Sequence, residues 1–159
     1  MKSKQTRKGV KKISNKMIRN KRAKFDYELS DSYVMGIVLN GRETKSLRLG
    51  HGQLQGAYVT VKNNELYLIN AQIHGTNGIP IEESESTQAR KLLAKRREID
   101  QIIAEKQQGK TIVPTEILTK GRYIKVRVSL GKGKRQYDKR RTLKEKDAKR
   151  EISRNIRNI

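Results

Sequence analysis

Cysteine is absent from all 159 residues, which excludes disulfides, thiolate catalysis and cysteine-ligated zinc by inventory. No apolar run approaches the roughly 18 residues of a membrane-spanning helix, and the first basic residues are not followed by the hydrophobic stretch of a secretory signal. A cytoplasmic protein is expected. Histidine is scarce: His51 and His74 stand alone, with no HExxH and no pair at helical spacing. A histidine beside glycine is more often a turn residue than a ligand, so no metal is expected. Neither GxGxxG nor a GxxxxGKS or GxxxxGKT phosphate loop occurs. The acidic cluster Glu82, Glu83 and Glu85 precedes a helical pattern, where carboxylates serve more often as dipole partners or a solvated loop than as acid and base. Neither enzyme chemistry nor a cofactor is indicated.

Acid is also missing from residues 1–24, which hold eleven Lys or Arg. Residues 131–159 hold twelve against four acids, so two ends carry most of the net +22 and the centre is nearly balanced. Cationic arms repel themselves and seek anions, whereas a near-neutral centre collapses normally. Nucleic acid fits better than a membrane surface, because no lipidation site or strongly amphipathic apolar face accompanies the charge. The length suits one domain, here 14–130, between a basic arm at 1–13 and a basic tail at 131–159.

Short runs rich in Val, Ile, Tyr and Leu predict antiparallel strands at 25–29, 33–39, 43–49, 56–62, 65–70 and 71–74. Turn signals separate them: Asn40-Gly41, Gly50-His51-Gly52 and Asn63-Asn64. Strands at 111–118 and 123–130 follow. Pro114 makes the first an edge or an interrupted strand, and Ile124, Val126, Val128 and Leu130 alternate inward along the second. This pattern points to a mainly β fold, a small antiparallel barrel with flanking helices. One helix is expected at 86–107, from Ala89, Leu92, Leu93, Ile99, Ile102 and Ile103, with Gly109 as its stop. A short one capped by Ser14 would end near Lys24.

The tail has almost nothing to bury, so alone it cannot offset its ordering entropy and is expected to be unfolded when free. Thr142-Leu143-Lys144-Glu145 matches a capping box, giving a helix over about 142–158 once phosphates neutralise its charge. Gly131-Lys-Gly-Lys134 reads as a flexible basic linker. Basic residues interleave with aromatics at Lys21, Arg22, Lys24, Phe25 and Tyr27, and again at Lys134, Arg135, Tyr137, Lys139 and Arg140. Tyr137 has no core to join, which favours stacking on an unpaired base. Tyr27, Tyr58, Tyr67 and Tyr123 fall within predicted strands and suit core or half-core packing at least as well. Lys45 and Arg48 on a predicted strand mark either an RNA-binding face or an ordinary solvent face.

Asn20-Lys-Arg-Ala-Lys-Phe-Asp-Tyr27, Gly36-Ile-Val-Leu-Asn-Gly-Arg-Glu-Thr-Lys-Ser-Leu-Arg48, Arg90-Lys-Leu-Leu93, Thr111-Ile-Val-Pro114 and Gly133-Lys-Arg-Gln-Tyr-Asp-Lys-Arg140 follow one another in this order. In these motifs the chain resembles the small protein B family, the SsrA-RNA (tmRNA) binding proteins of bacterial trans-translation. The resemblance implies an OB-fold-like barrel that binds the tRNA-like domain of tmRNA. It also implies delivery, with elongation factor Tu, to the A site of stalled ribosomes. The tail would then occupy the decoding centre and empty mRNA channel of the small subunit and become helical there. By position, it implies tmRNA contacts at Asn20, Lys21, Arg22, Lys24, Tyr27, Lys45, Arg48, Lys91 and Leu93. It assigns Lys132, Lys134, Arg135, Tyr137, Asp138, Lys139, Arg140, Lys144, Lys146, Lys149 and Arg150 to the ribosome-facing tail. Val34 stands where the family usually has an acid, and the acidic 82–85 loop is expected to face away from RNA. A monomer is expected. A basic structural ribosomal protein is the alternative, and an RNA-processing enzyme a third reading that lacks its acid or metal constellation.

Overall fold

The computed structural model describes residues 17–157. The elements are β1 (Ile18–Arg19), α1 (Ala23–Asp26), β2 (Tyr27–Ile37), α2 (Gly41–Leu49), β3 (Gly52–Gln53), β4 (Tyr58–Lys62), β5 (Glu65–Ile69) and β6 (Gln72–Ile73). They continue with α3 (Glu83–Ser86), β7 (Arg90–Leu93), α4 (Arg96–Gln107), β8 (Thr111–Leu118), β9 (Lys125–Gly133) and α5 (Gln136–Arg157). Seven strands form one antiparallel sheet in the order β1-β8-β9-β2-β7-β5-β4, and β3 pairs with β6 separately. The large sheet curls until β4 packs against β8 with no ladder between them.

Period-2 patterning fills the interior. Ile124, Val126, Val128 and Leu130 are all buried, as alternation along this segment predicts, and meet Met35, Leu66, Leu68, Leu92, Ile112 and Ile117 in one core. The helix α4 seals one opening with Ile102, whose full burial contributes about 1.5–3 kcal/mol. Asn63 and Asn64 adopt φ of 51° and 57° and close the β4–β5 hairpin, the paired left-handed geometry such a two-residue turn needs.

Several expectations are corrected. Residues 43–49 form the helix α2 and not a strand, because Asn40 and Glu43 make a reciprocal capping box. The Asn40 side chain accepts from the Glu43 N–H at 2.8 Å and Glu43 Oε2 accepts from the Asn40 N–H at 2.9 Å. Gly50, at φ 89°, stops that helix, so Asn40-Gly41 is a helix start and not a hairpin. The two strands expected at 25–29 and 33–39 merge into β2, with an irregularity in register between Leu29 and Ser32, while Phe25 belongs to α1. The helix expected at 86–107 covers only 96–107. Its first part is β7, inserted between β2 and β5, with Arg90 and Leu92 inward and Lys91 and Leu93 outward. Leucines at 92 and 93 satisfy either periodicity, and ladder pairing on both sides decides it.

Pro114 interrupts β8, as expected: the register slips between Pro114 and Glu116. The helix expected from Ser14 gives way to β1 and the short α1, and Ser14 itself, like the 1–13 arm, lies outside the described residues. At the other end β9 carries the sheet three residues past Leu130, to Gly133, pairing Gly131, Lys132 and Gly133 with Leu29, Glu28 and Tyr27. The expected linker is therefore partly strand. Helix α5 begins at Gln136, six residues before Thr142, and Asn158 lies outside the described residues.

Candidate nucleic-acid interface

The expected RNA contacts sort into two groups at opposite ends of β2. At its start, the irregularity in β8 leaves two carbonyls turned outward, and Asn20 satisfies both. Its N–H donates to Thr115 O at 2.8 Å and its Nδ2 to Pro114 O at 3.0 Å. Asn20 thus acts first as the hinge pin that leads the chain into α1. Ala23 is buried beneath that turn, leaving Lys21, Arg22 and Lys24 exposed around it. Arg22 reaches Asp26 at 3.5 Å. Tyr27 is half-buried and lines a groove of about 620 Å³ between β4 and β8, together with Arg22, Tyr58, Lys106 and Lys110.

The tail departs from this same end. Gly131 lies so close to β2 that a Cβ would sit 2.8 Å from Glu28 O, a backbone atom that cannot yield, so glycine is required there. Lys134 closes the strand register: its N–H donates to Asp26 O at 2.9 Å and its ammonium to Lys24 O at 3.0 Å. Beyond it, Lys139 pairs with Asp26 at 3.1 Å and Lys146 sits 5.7 Å above the Phe25 ring. Lys132, Arg135, Tyr137, Asp138, Arg140, Lys144, Lys149 and Arg150 are all exposed, Tyr137 at 77%. Helix α5 has 22 residues and so extends about 33 Å, with Leu143, Ile152 and Ile156 uncovered.

The second group surrounds the far end of β2, where Gly36 pairs with both Leu93 and Lys125. Leu93 and Val34 are 52% and 43% exposed, an apolar strip on the outer face of β2 and β7. Lys91 is engaged with Glu65 at 2.5 Å. That hydrogen bond raises the lysine above its ordinary pKa and lowers the carboxylate below its own. Lys45 is exposed on α2, on a helix and not on the expected strand. Arg48, one turn on, is a strut: its Nη2 donates to Gly121 O at 3.1 Å and Arg122 O at 3.0 Å. Tyr27 and Gly36 are nine residues apart along β2, roughly 30 Å at strand rise, so the two groups are separate patches. Tyr58 and Tyr123 are 49% and 67% exposed, whereas Tyr27 and Tyr67 are half-buried, as strand positions suggested.

Beneath the second group, on the same β7 and α2, lies a constellation not foreseen from sequence. The Arg90 guanidinium is buried against Glu43, with Nε and Nη2 each 2.8 Å from Oε1, and it donates further to the carbonyls of Ala71, Glu85, Ser86 and Gln88. Burial alone would raise the Glu43 carboxyl. Hydrogen bonds from Asn40 N–H, Gln88 and Arg90 outweigh it and hold the pKa below the usual carboxylate value. The signal was present as Arg90 and Leu92 sharing one face of a strand. A charged residue at an inward position demands a buried partner. The acidic segment lies on the α2 side of this cluster, with Glu85 pairing Arg42 at 3.3 Å. Among the described residues, no three or more His, Asp or Glu side chains converge as a metal site.

The family profile described as "SmpB protein" matches residues 17–158. The "SsrA-binding protein" of Halalkalibacterium halodurans is 42% identical over 139 residues, covering 87% of this chain and 90% of that one. That of Mycoplasma genitalium is 42% identical over 137 residues, covering 86% and 94%. A solved chain described under "tmRNA-SmpB: a journey to the center of the bacterial ribosome" superposes with a TM-score of 0.64 at 33% identity, covering 80% of this chain and 94% of that one.

Proposed function

Because the chain belongs to the SmpB family, we propose that it is an RNA-binding adaptor which holds SsrA RNA on its β body and uses its basic tail on the ribosome. It binds tmRNA and acts in trans-translation, the rescue of stalled ribosomes with tagging of their incomplete products. The observation that carries the reading is the partition of charge: the tail departs from a closed strand register at Lys134 and exposes nearly every cation beyond it. The finer assignments are proposals. The body is an OB-fold-like barrel whose tmRNA contacts are Asn20, Lys21, Arg22, Lys24, Tyr27, Lys45, Arg48, Lys91 and Leu93. The tail enters the decoding centre and the vacant mRNA channel, delivery involves elongation factor Tu, and the protein works in the cytoplasm as a monomer. No catalytic step is assigned to it. The tail is expected to be unfolded when free, since its apolar residues are uncovered and helices in proteins owe most of their stability to a packed face.

Lys45 offers the cleanest test among the body cations, because it is exposed on α2 and shares no strut role with Arg48. Lys45→Ala is expected to weaken SsrA-RNA binding by about 1–3 kcal/mol and to reduce the slope of log affinity against log salt by about one. Binding titrations at several salt concentrations check this. An unchanged slope removes Lys45 from the phosphate contacts.

A further inference from the structure

The loop joining β8 and β9 carries the most exposed aromatic ring of the body, and nothing in the folding of the chain explains its exposure. Tyr123 is 67% accessible while its neighbour Ile124 is buried. One face of its ring is covered by the Arg122 guanidinium, 5.4 Å from the centroid, which leaves the other face open. Lys120 and Lys125 flank the pair, both exposed. The loop is also held in place. Gly121 takes φ 88°, and Arg48 donates from α2 to the carbonyls of both Gly121 and Arg122, fixing the backbone on which the ring is mounted.

An aromatic ring presented rigidly among cations is costly to leave in water and cheap to cover with a base, because little rotamer or loop entropy remains to be lost. We infer that Tyr123, backed by Arg122 and braced by Arg48, is a stacking platform for an unpaired base of the bound RNA, with Lys120 and Lys125 on the adjoining phosphates. The inference rests on the tmRNA-binding reading and deepens it. It replaces the direct tmRNA contact proposed above for Arg48 with a positioning role: the guanidinium is committed to two carbonyls of the loop, and its effect on RNA passes through the platform.

Stacking and charge contacts have different signatures, which makes the platform testable with full-length protein and transcribed SsrA RNA. Tyr123→Ala is expected to lose roughly 5- to 150-fold in affinity with the salt slope unchanged, since no phosphate contact is removed. Tyr123→Phe keeps affinity within about twofold, and both variants keep the wild-type melting temperature because the ring is outside the core. Arg48→Ala, which removes the donor to both carbonyls, is expected to lose affinity in the wild-type background and to lose little more when combined with Tyr123→Ala. If Tyr123→Ala binds SsrA RNA as wild type does, the platform is overturned and the family reading stands. Reduced tagging with SsrA-RNA affinity intact would assign the ring to a different partner and equally overturn it. Failure of the wild-type protein to bind SsrA RNA would remove the reading beneath it as well.

Discussion

Truncation after Lys134 is expected to abolish tagging on stalled ribosomes while leaving SsrA-RNA affinity within about twofold of the full chain. The boundary matters. A cut after Leu130 would remove Gly131, Lys132 and Gly133, which pair with Leu29, Glu28 and Tyr27, and would strip the start of β2 of its partner beside the Asn20–Tyr27 patch. Retaining Lys134 keeps its two hydrogen bonds to the α1 turn. What is lost beyond it touches the body only lightly, chiefly through the Lys139–Asp26 pair and the Lys146 contact with Phe25. Partly exposed pairs of this kind are worth about 1 kcal/mol or less. Filter binding and a tagging reaction on ribosomes programmed with a truncated message measure the two halves. A tenfold loss of SsrA-RNA affinity, or a flattened salt dependence, would mean that the tail itself grips the tmRNA and would sink the proposed division of labour.

Arg90→Met is expected to destabilise the protein by about 3–5 kcal/mol, lowering the melting temperature by roughly 6–20 °C. The side chains of Arg90 and Glu43 are 2% and 3% exposed, so removing the cation leaves a carboxylate stranded where water does not reach. It also takes the guanidinium donors away from the carbonyls of Ala71, Glu85, Ser86 and Gln88, which tie the loop ahead of β7 to the core. Adding Glu43→Gln removes the stranded charge and should recover part of the loss. Acid dependence follows from the same pair. Since the folded Glu43 carboxyl titrates below its unfolded value, its stabilisation is complete above the unfolded value and fades as pH falls through the folded one. Glu43→Gln should therefore flatten the acid limb of the stability curve. Thermal melts across pH check both, and an Arg90→Met chain that melts like wild type would rule out a structural role for the pair.

What the sequence disclosed, it disclosed through local chemistry. Ile124 to Leu130 alternates without ambiguity, and Asn63-Asn64 specifies its turn, so both were legible. Residues 43–49 misled because Thr44, Leu47 and Leu49 look strand-like in composition. The decisive signal was the Asn40 and Glu43 pairing three residues apart, a cap that fixes a helix regardless of the residues inside it. Residues 90–93 misled for a different reason. Two leucines in succession fit either period, and only the ladders to β2 and β5, made by distant segments, decide between them. The candidate contacts were legible as a list of residue types through their resemblance to a family. Their arrangement was not. Nothing local separates Lys45 from Arg48, yet one faces solvent and the other braces a loop 73 residues away.

The single strand β2 runs from the turn that roots the tail to the glycine beside Leu93, bonded along most of its length to β9 on either side of the irregularity at Leu29–Ser32. It behaves as a gauge block: whatever grips one extremity dictates, to within the stiffness of a paired ribbon, where the other stands. Lengthening it by two residues would keep every side chain on its original face yet advance one patch by about 7 Å. A molecule required to touch two surfaces at once would feel that as a misfit, with each contact intact.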